Sequence, residues 1–213
     1  MEPRHLTPAD RIIGEIANAI NVLAAPARAR RPYPGESSPL PELSAAQRQE
    51  TARLMRINHA GEVAAQALYH GQAFLARKPE IAAAMQAAAA EEVDHLAWCE
   101  RRIQELGGRT SLLNPLWYAG SFAIGAVAAA SGDATSLGFI TETEKQVEAH
   151  LHGHLQRLAP DDERSRRILE AMQVDEAAHG AKAEQIGGKP LPLIIRTAMK
   201  LTAKLMTRGS FWL

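Results

Sequence analysis

The segments Glu92-Val93-Asp94-His95 and Glu176-Ala177-Ala178-His179 carry the same Glu-x-x-His motif, 84 residues apart. Residues i and i+3 of an α-helix lie on one face, so a single metal ion can contact both side chains of a motif. One such pair is weak evidence, because it often arises by chance in helices rich in Glu. The repeated pair therefore predicts a metal site only if further ligands lie at matching positions.

Two further glutamates occupy those matching positions, one in the helix before each motif. Glu62 lies 30 residues before Glu92, and Glu144 lies 32 residues before Glu176. Each pair straddles a turn marked by proline, at positions 79 and 160. Because an α-helix rises about 1.5 Å per residue, both members of a pair should lie at nearly the same height above their turn. The two halves of the chain thus repeat the type, order and height of their candidate ligands.

Four carboxylates and two imidazoles form the predicted ligand set. Its members are Glu62, Glu92, His95, Glu144, Glu176 and His179. Four carboxylates neutralise two divalent cations, which removes the large cost of burying unpaired charge. Imidazole and carboxylate donors suit iron or manganese better than a thiophilic metal. The pattern is typical of a di-iron or di-manganese site in a four-helix bundle of the ferritin-like type.

The rest of the sequence favours an all-α fold, because alanine is abundant and no segment alternates polar and apolar residues as a strand would. Capping and breaking residues place the bundle helices at about 44–77, 79–106, 133–158 and 161–187. A long apolar crossover joins the second and third of them. We predict three parts: an N-terminal amphipathic helix with a proline-rich linker (1–43), the bundle (44–188) and a C-terminal basic amphipathic helix (189–213).

The composition of the chain argues against several classes of partner and of metal site. The 213 residues contain 24 Lys and Arg against 24 Asp and Glu, so the formal net charge is zero. This balance argues against a nucleic-acid partner bound by bulk charge. Cys99 is the single cysteine, which excludes a disulfide framework and a cysteine-ligated metal cluster. Charged residues among the first ten argue against a secretory signal or a transit peptide.

Several residues near the ligands are candidates for supporting them. Tyr69 lies seven residues after Glu62 on the same helix face and could bond a ligand, or could be an ordinary core tyrosine. Asp94 and Asp175 are candidates for orienting the opposite histidines, since a metal-bound imidazole usually donates its second N–H to a carboxylate. We interpret Glu91 as a solvated or ion-paired neighbour.

The remaining histidines and the cysteine have weaker assignments. His150 is a candidate for bordering the site. We expect His152 and His154 to be exposed, because three histidines at alternate positions cannot share one helix face. Cys99 is interpreted as a small core residue and not as a ligand.

Two segments suggest contact with a membrane. Residues 110–132 carry no formal charge and are long enough to span a bilayer, but their Asn, Pro and Gly residues favour a buried or membrane-surface helix. The tail repeats a basic residue every fourth position, at Arg196, Lys200, Lys204 and Arg208. This pattern fits a helix on an anionic membrane surface, and equally a helix packed on the bundle with its basic face solvated.

Taken together, the motifs resemble the demethoxyubiquinone hydroxylase family in its proteobacterial form. The match runs from about residue 44 to residue 179. The residues that carry it are Asn58-His59-Ala60-Gly61-Glu62, Tyr69-His70-Gly71-Gln72, Glu92-Val93-Asp94-His95, Glu144 with His150, and Asp175-Glu176-Ala177-Ala178-His179. The crossover from Leu112 to Gly125 also resembles that of the family.

The resemblance implies a di-iron monooxygenase that uses O2 to hydroxylate the ring of a demethoxylated ubiquinone precursor. It implies that the six ligands hold two iron ions, and that the substrate carries a polyprenyl tail. It further implies peripheral attachment to the cytoplasmic side of the cell membrane, with ubiquinone-synthesis proteins as candidate partners. No glycine-rich dinucleotide motif is visible, so we expect electrons to come from a transiently bound donor or from the reduced substrate.

Two other functions fit the same ligands, and manganese in place of iron stays open. A di-iron hydroxylase could act on another substrate, such as a modified tRNA base, although zero net charge and an apolar crossover count against RNA. A ferritin-like iron-binding protein would need a large shell assembly and would have no use for a lipid-facing segment.

Overall fold

The computed structural model describes residues 7–213, and every regular element within them is an α-helix. The helices are α1 (Pro8–Ala24), α2 (Ala45–Leu75), α3 (Pro79–Glu105), α4 (Asn114–Ala130), α5 (Asp133–Leu155), α6 (Glu163–Gln185) and α7 (Leu193–Trp212). The all-α prediction is confirmed. Residues 1–6 lie outside the described range, so the prediction about a leader sequence is not tested. The division into three parts also stays a prediction.

Local sequence signals fix where the bundle helices α2, α3, α5 and α6 begin and end. α2 starts with a capping box, in which Ser44 and Gln47 each accept the other's backbone N–H. α3 starts at Pro79, whose missing N–H would have no helical partner in any case. α6 ends before Gly187, where φ is 113°, a conformation that favours glycine. The bundle helices end within three residues of their predicted limits.

Two apolar clusters fill the bundle, one on each side of its middle. The first includes Leu54, Met55, Trp98, Ile103, Leu151, Ile168, Leu169 and Met172. The second includes Tyr69, Ile81, Met85, Ala89, Leu137, Ile140 and Ala183. In each bundle helix the candidate ligands fall between residues of the two clusters, as Glu62 does between Met55 and Tyr69. The ligands therefore occupy a polar layer enclosed by apolar side chains at both ends.

The crossover forms helix α4, which lies directly on α2. A Cβ atom at Gly125 would collide with the carbonyl oxygen of Leu68, and one at Gly71 would collide with that of Phe122. The absence of both Cβ atoms lets the two backbones approach closely and fixes the position of α4 along α2. Within the described chain, no helix has the length and apolar character needed to cross a membrane.

Helices α1 and α7 also pack against α2, but they leave much apolar surface uncovered. We use the name outer apolar face for the exposed apolar residues of α1, α4 and α7 taken together. Its members are Ile12, Ile13, Ile16 and Ile20 of α1, Leu112, Leu116, Ile124 and Val127 in or beside α4, and Leu193, Ile194, Leu201 and Leu205 of α7. The segment 110–132 is therefore a helix exposed on one side, neither fully buried nor able to span a bilayer.

The end of α7 is tied to the bundle by arginine–aromatic contacts. The Arg53 guanidinium lies 5.0 Å from the ring centre of Phe211 and 4.6 Å from that of Trp212. Ser210 is the only buried residue of α7, and it accepts a hydrogen bond from the indole of Trp117. The helix thus packs on the bundle at its C-terminal end and also exposes its apolar residues.

Replacing Gly125 with alanine should detach α4 from α2, because the new methyl group would meet the Leu68 carbonyl. We expect the free energy of unfolding in urea to fall by about 1–3 kcal/mol, the usual cost of overpacking. Gly120→Ala is the matched control, because a Cβ atom at this α4 position meets nothing within 4 Å. That control should be neutral or slightly stabilising, since alanine is the better helix former. Equal effects of the two variants would contradict the close contact.

Candidate metal centre

The six predicted ligands come together in the middle of the bundle. Glu62 comes from α2, Glu144 from α5, and one Glu-x-x-His motif comes from each of α3 and α6. All six side chains are buried, with no residue more than 8% exposed. The predicted convergence is confirmed. That these side chains bind a metal stays a prediction.

The ligand atoms form two overlapping groups of four. Glu62 and His95 complete one group and Glu144 and His179 complete the other, while Glu92 and Glu176 belong to both. Within each group, one ligand atom from every residue lies within 4.8 Å of the others. Two glutamates shared by two groups is the arrangement in which carboxylates can bridge a pair of cations. The cluster can therefore hold metal.

Two buried polar atoms lack a hydrogen bond at the centre of this cluster. They are Glu92 Oε1 and His179 Nδ1, which lie 3.0 Å apart. A buried polar atom without a partner is costly, and most such atoms in proteins are satisfied. A cation accepts lone pairs from oxygen and from imidazole nitrogen, so it would satisfy both atoms at once. The residues present fit a bound metal on this observation.

The charge balance of the centre favours cations. Burial raises the pKa of Glu62 and of Glu144 well above the ordinary carboxyl range, and nearby carboxylates raise both further. Burial alone would lower the pKa of His179, but the nearby carboxylates of Glu176 and Glu92 outweigh it and raise the value to about 11. These raised values mean that the buried groups take up positive charge readily, either as protons or as bound cations, in this low-dielectric layer.

Both histidines point Nδ1 toward the carboxylates of the cluster and Nε2 away from it. His95 Nδ1 lies 2.8 Å from Glu92 Oε2, and His179 Nδ1 lies 3.0 Å from Glu92 Oε1. The outward Nε2 of His95 lies 2.8 Å from Asp175, as predicted. The outward Nε2 of His179 lies 2.8 Å from Glu91. Each imidazole is thus held at its outer nitrogen by an acidic residue, which fixes the ring orientation.

The predicted role of Asp94 at His179 is wrong. Asp94 instead accepts hydrogen bonds from the backbone N–H of Arg30 and the side chain of Arg31. Glu91 takes the place that we assigned to Asp94, and its ion-paired character is confirmed. The sequence contained a signal for this, because Glu91 and Asp175 each immediately precede the glutamate of a Glu-x-x-His motif.

Tyr69 takes the first of its two predicted roles, and the prediction that Cys99 is a core residue is confirmed. The Tyr69 hydroxyl donates a hydrogen bond to Glu144, so this tyrosine contacts a candidate ligand directly. Burial raises its pKa well above the ordinary value, and the charge of Glu144 raises it further, so the hydroxyl stays a donor. Cys99 is fully buried, with its sulfur 3.7 Å from that of Met172, and it lies in the apolar core.

The positions of the histidines on α5 show that a second prediction, the exposure of His154, is wrong. His152 is exposed as expected, but His154 is buried and its Nδ1 lies 2.8 Å from Asn58 Oδ1. His150 lies outside both groups of four, with its ring centre 3.9 Å from that of His154. Both rings line a cavity of about 480 Å³ between α2, α5 and α7, together with Phe211.

A second, much smaller cavity of about 20 Å³ lies between the bundle helices beside His179. Tyr69, Met85 and Ile140 line it, so it connects a candidate ligand with apolar surroundings. Its volume is close to that of a single water-sized probe. The cluster is therefore nearly closed to bulk water on this side.

A four-helix bundle that encloses a buried layer of four carboxylates and two imidazoles is consistent with the ferritin-like class, and this layer could hold metal. The family model for ubiquinone biosynthesis protein COQ7 matches residues 49–210, and the chain belongs to that family. A relative from Bordetella pertussis, named 3-demethoxyubiquinol 3-hydroxylase, is 53% identical over 211 residues, which cover 99% of this chain and 95% of the relative.

Two other relatives carry the same name. The one from Nitrosomonas eutropha is 55% identical over 203 residues, covering 95% of this chain and 98% of the relative. The one from Dechloromonas aromatica is 54% identical over 198 residues, covering 93% and 96%. The similarity therefore extends beyond the bundle into the N-terminal segment, which lies before the first residue matched by the family model.

The overlap of the two groups predicts different losses of metal for different ligands. Glu176→Ala should abolish binding of both metals, because Glu176 belongs to both groups, whereas Glu62→Ala should affect mainly one. Metal content per chain, measured after anaerobic loading with ferrous iron and gel filtration, tests this. The control is Glu170→Ala, an exposed glutamate on α6, which should bind as the unmodified chain does. Full metal content in folded Glu176→Ala would contradict the ligand assignment.

Proposed function

We propose that this chain is a di-iron monooxygenase that hydroxylates the ring of a demethoxylated ubiquinol precursor with O2. The observation that carries the proposal is the pair of overlapping ligand groups in a chain of the COQ7 family. The relatives named 3-demethoxyubiquinol 3-hydroxylase support the substrate class. Zero net charge gives no support to a nucleic-acid substrate.

The geometry suggests a role for each ligand. Glu62 and His95 would help to hold one iron, Glu144 and His179 the other, and Glu92 and Glu176 belong to both groups of ligands. When bound, the irons would supply the redox chemistry that activates O2. The donor types suit manganese as well as iron, and iron is proposed because the chain belongs to the COQ7 family, which is di-iron.

The chain's own residues would position and shield the reacting groups. The Tyr69 hydroxyl donates to Glu144 and so restrains that carboxylate on the side of the narrow cavity beside His179. Apolar residues above and below the ligand layer exclude bulk water, which strengthens every electrostatic interaction inside it. In the overall reaction, one oxygen atom enters the ring and the other leaves as water. Two electrons and two protons must therefore come from an electron donor or from the reduced substrate.

A polyprenyl substrate resides in a bilayer, and the outer apolar face offers a way to meet it there. Twelve aliphatic side chains of this face stay exposed on or beside α1, α4 and α7. Lys200 and Lys204 are exposed on α7, where they could contact anionic lipid headgroups. We therefore propose peripheral attachment to the cytoplasmic side of the cell membrane.

An isotope experiment tests the reaction. Protein loaded with ferrous iron should convert the reduced demethoxylated quinol to the hydroxylated product, with one atom of ¹⁸O from ¹⁸O2 detected by mass spectrometry. Glu176→Ala should form no product, whereas Glu170→Ala should remain active. Loaded protein that leaves the quinol unchanged, or that takes the oxygen atom from water, would contradict the proposed reaction.

A flotation experiment with vesicles containing anionic lipid tests the membrane proposal. Leu201→Asp removes an exposed side chain from the outer apolar face, and it should reduce the partition coefficient about 10-fold or more, given roughly 1.5–3 kcal/mol for burial of a leucine side chain. Val174→Asp is the matched control. Val174 on α6 is 71% exposed, and Leu201 is 64% exposed, so both variants remove an exposed aliphatic group and add one negative charge. Equal effects, or no binding of the unmodified chain, would argue against this docking surface.

A further inference from the structure

The linker between α1 and α2 contributes an arginine to the surroundings of the candidate metal centre. Arg31 Nε lies 2.7 Å from Asp94 Oδ2 on α3, and Arg31 Nη1 lies 2.7 Å from Asp175 Oδ2 on α6. The guanidinium also lies 4.7 Å from the ring centre of Trp98. One planar cation thus bridges carboxylates of two bundle helices, a geometry that arginine supports and lysine does not.

This bridge reaches a candidate metal ligand through Asp175, and Arg31 Nη2 itself lies 3.4 Å from His95 Nε2. The oxygen of Asp175 that contacts Arg31 also lies 2.8 Å from His95 Nε2. A second contact holds the linker in place, because the Arg30 backbone N–H donates to Asp94 over 2.6 Å. Asp175 is consequently fixed between an arginine and the outward nitrogen of His95.

The acidic residue that contacts the other histidine, Glu91, forms no ion pair with an arginine in the part of the chain that the structure describes. His179 Nε2 lies 2.8 Å from Glu91, whose side chain is 54% exposed, compared with 24% for Asp175. Within residues 7–213, Glu91 forms an ion pair with His179 alone. The two halves of the centre therefore repeat the same ligands but differ in what restrains the histidine.

We propose that Arg31 is a positioning residue that holds Asp175 on His95 and thereby makes the metal position on the His95 side the tighter of the two. The inference rests on the metal pair in the proposed function. Residues that hold a metal-bound imidazole by its outer nitrogen commonly affect metal affinity about 10–100-fold. Arg31 lies before the segment matched by the family model, so the residue that sets this difference in metal affinity comes from outside the bundle.

The test compares stepwise release of ferrous iron to a chelator in three proteins, under anaerobic conditions. The unmodified chain should release its two metals in two separate phases. In Arg31→Gln the affinity for the more tightly held metal should fall about 10–100-fold and approach the affinity for the other metal. Arg30→Gln is the matched control, because it removes a neighbouring exposed charge and keeps the backbone contact to Asp94. It should behave as the unmodified chain does.

Mössbauer spectra of ⁵⁷Fe-loaded protein add a readout that a purely structural role would not move. Arg31→Gln should shift the signal of one iron and leave the other unchanged, and Arg31→Lys should not restore it. Glu91→Gln tests the asymmetry from the opposite side, since it should weaken the looser phase only. This surface variant also keeps the test decisive if circular dichroism shows that Arg31→Gln is unfolded.

The outcomes separate this inference from the proposed function. Equal release phases in the unmodified chain, or equal weakening of both phases in Arg31→Gln, would overturn the role of Arg31 and leave the hydroxylase proposal standing. An unmodified chain that binds no metal pair would overturn both. A chain that shows the predicted phases but does not hydroxylate the quinol would overturn the proposed function alone.

Discussion

Four carboxylates buried at one level of a helical bundle impose the constraint on which the rest of this structure depends. An ionised carboxylate in a low-dielectric interior is very costly unless it is paired. Here the two imidazoles supply part of the compensation, and a bound cation pair would supply the rest. The same charge that makes the layer costly to bury gives it its affinity for metal.

The apolar clusters give this polar layer its shape. They pack above and below the ligands and hold the four helices at fixed height, so that glutamates from different helices can share two groups. The layer is asymmetric in its surroundings, although the ligands repeat. On the His95 side Arg31 forms an ion pair with Asp175, whereas on the His179 side Glu91 is largely exposed.

The bundle and its six ligands could be predicted because their signals are periodic. The Glu-x-x-His spacing is set by one helical turn, and equal distances from two turns place partner glutamates at one height. Capping residues such as Ser44 and Pro79 marked the helix ends for similarly local reasons. These features depend on spacing along the chain, which the sequence contains directly.

The errors came from contacts made across helices. Asp94 was assigned to His179 because it lies near a motif, yet its helix face turns it toward the linker. His154 was expected to be exposed, although it lies four residues from His150 and hence on the same face, against Asn58. The position of Arg31 could not be predicted, since a proline-rich linker has no period that would place one side chain between α3 and α6.

The close contact between α2 and α4 limits the routes by which a substrate can reach the ligand layer. Backbone meets backbone at Gly71 and Gly125, so no elongated molecule can pass between these two helices. Any path from the exterior to the ligand layer must follow another interface. Of the two cavities described above, the narrow one beside His179 is lined by a candidate ligand, whereas the groove lined by His150 and Phe211 is not. Two residues that lack a side chain thus restrict the directions from which a substrate can arrive.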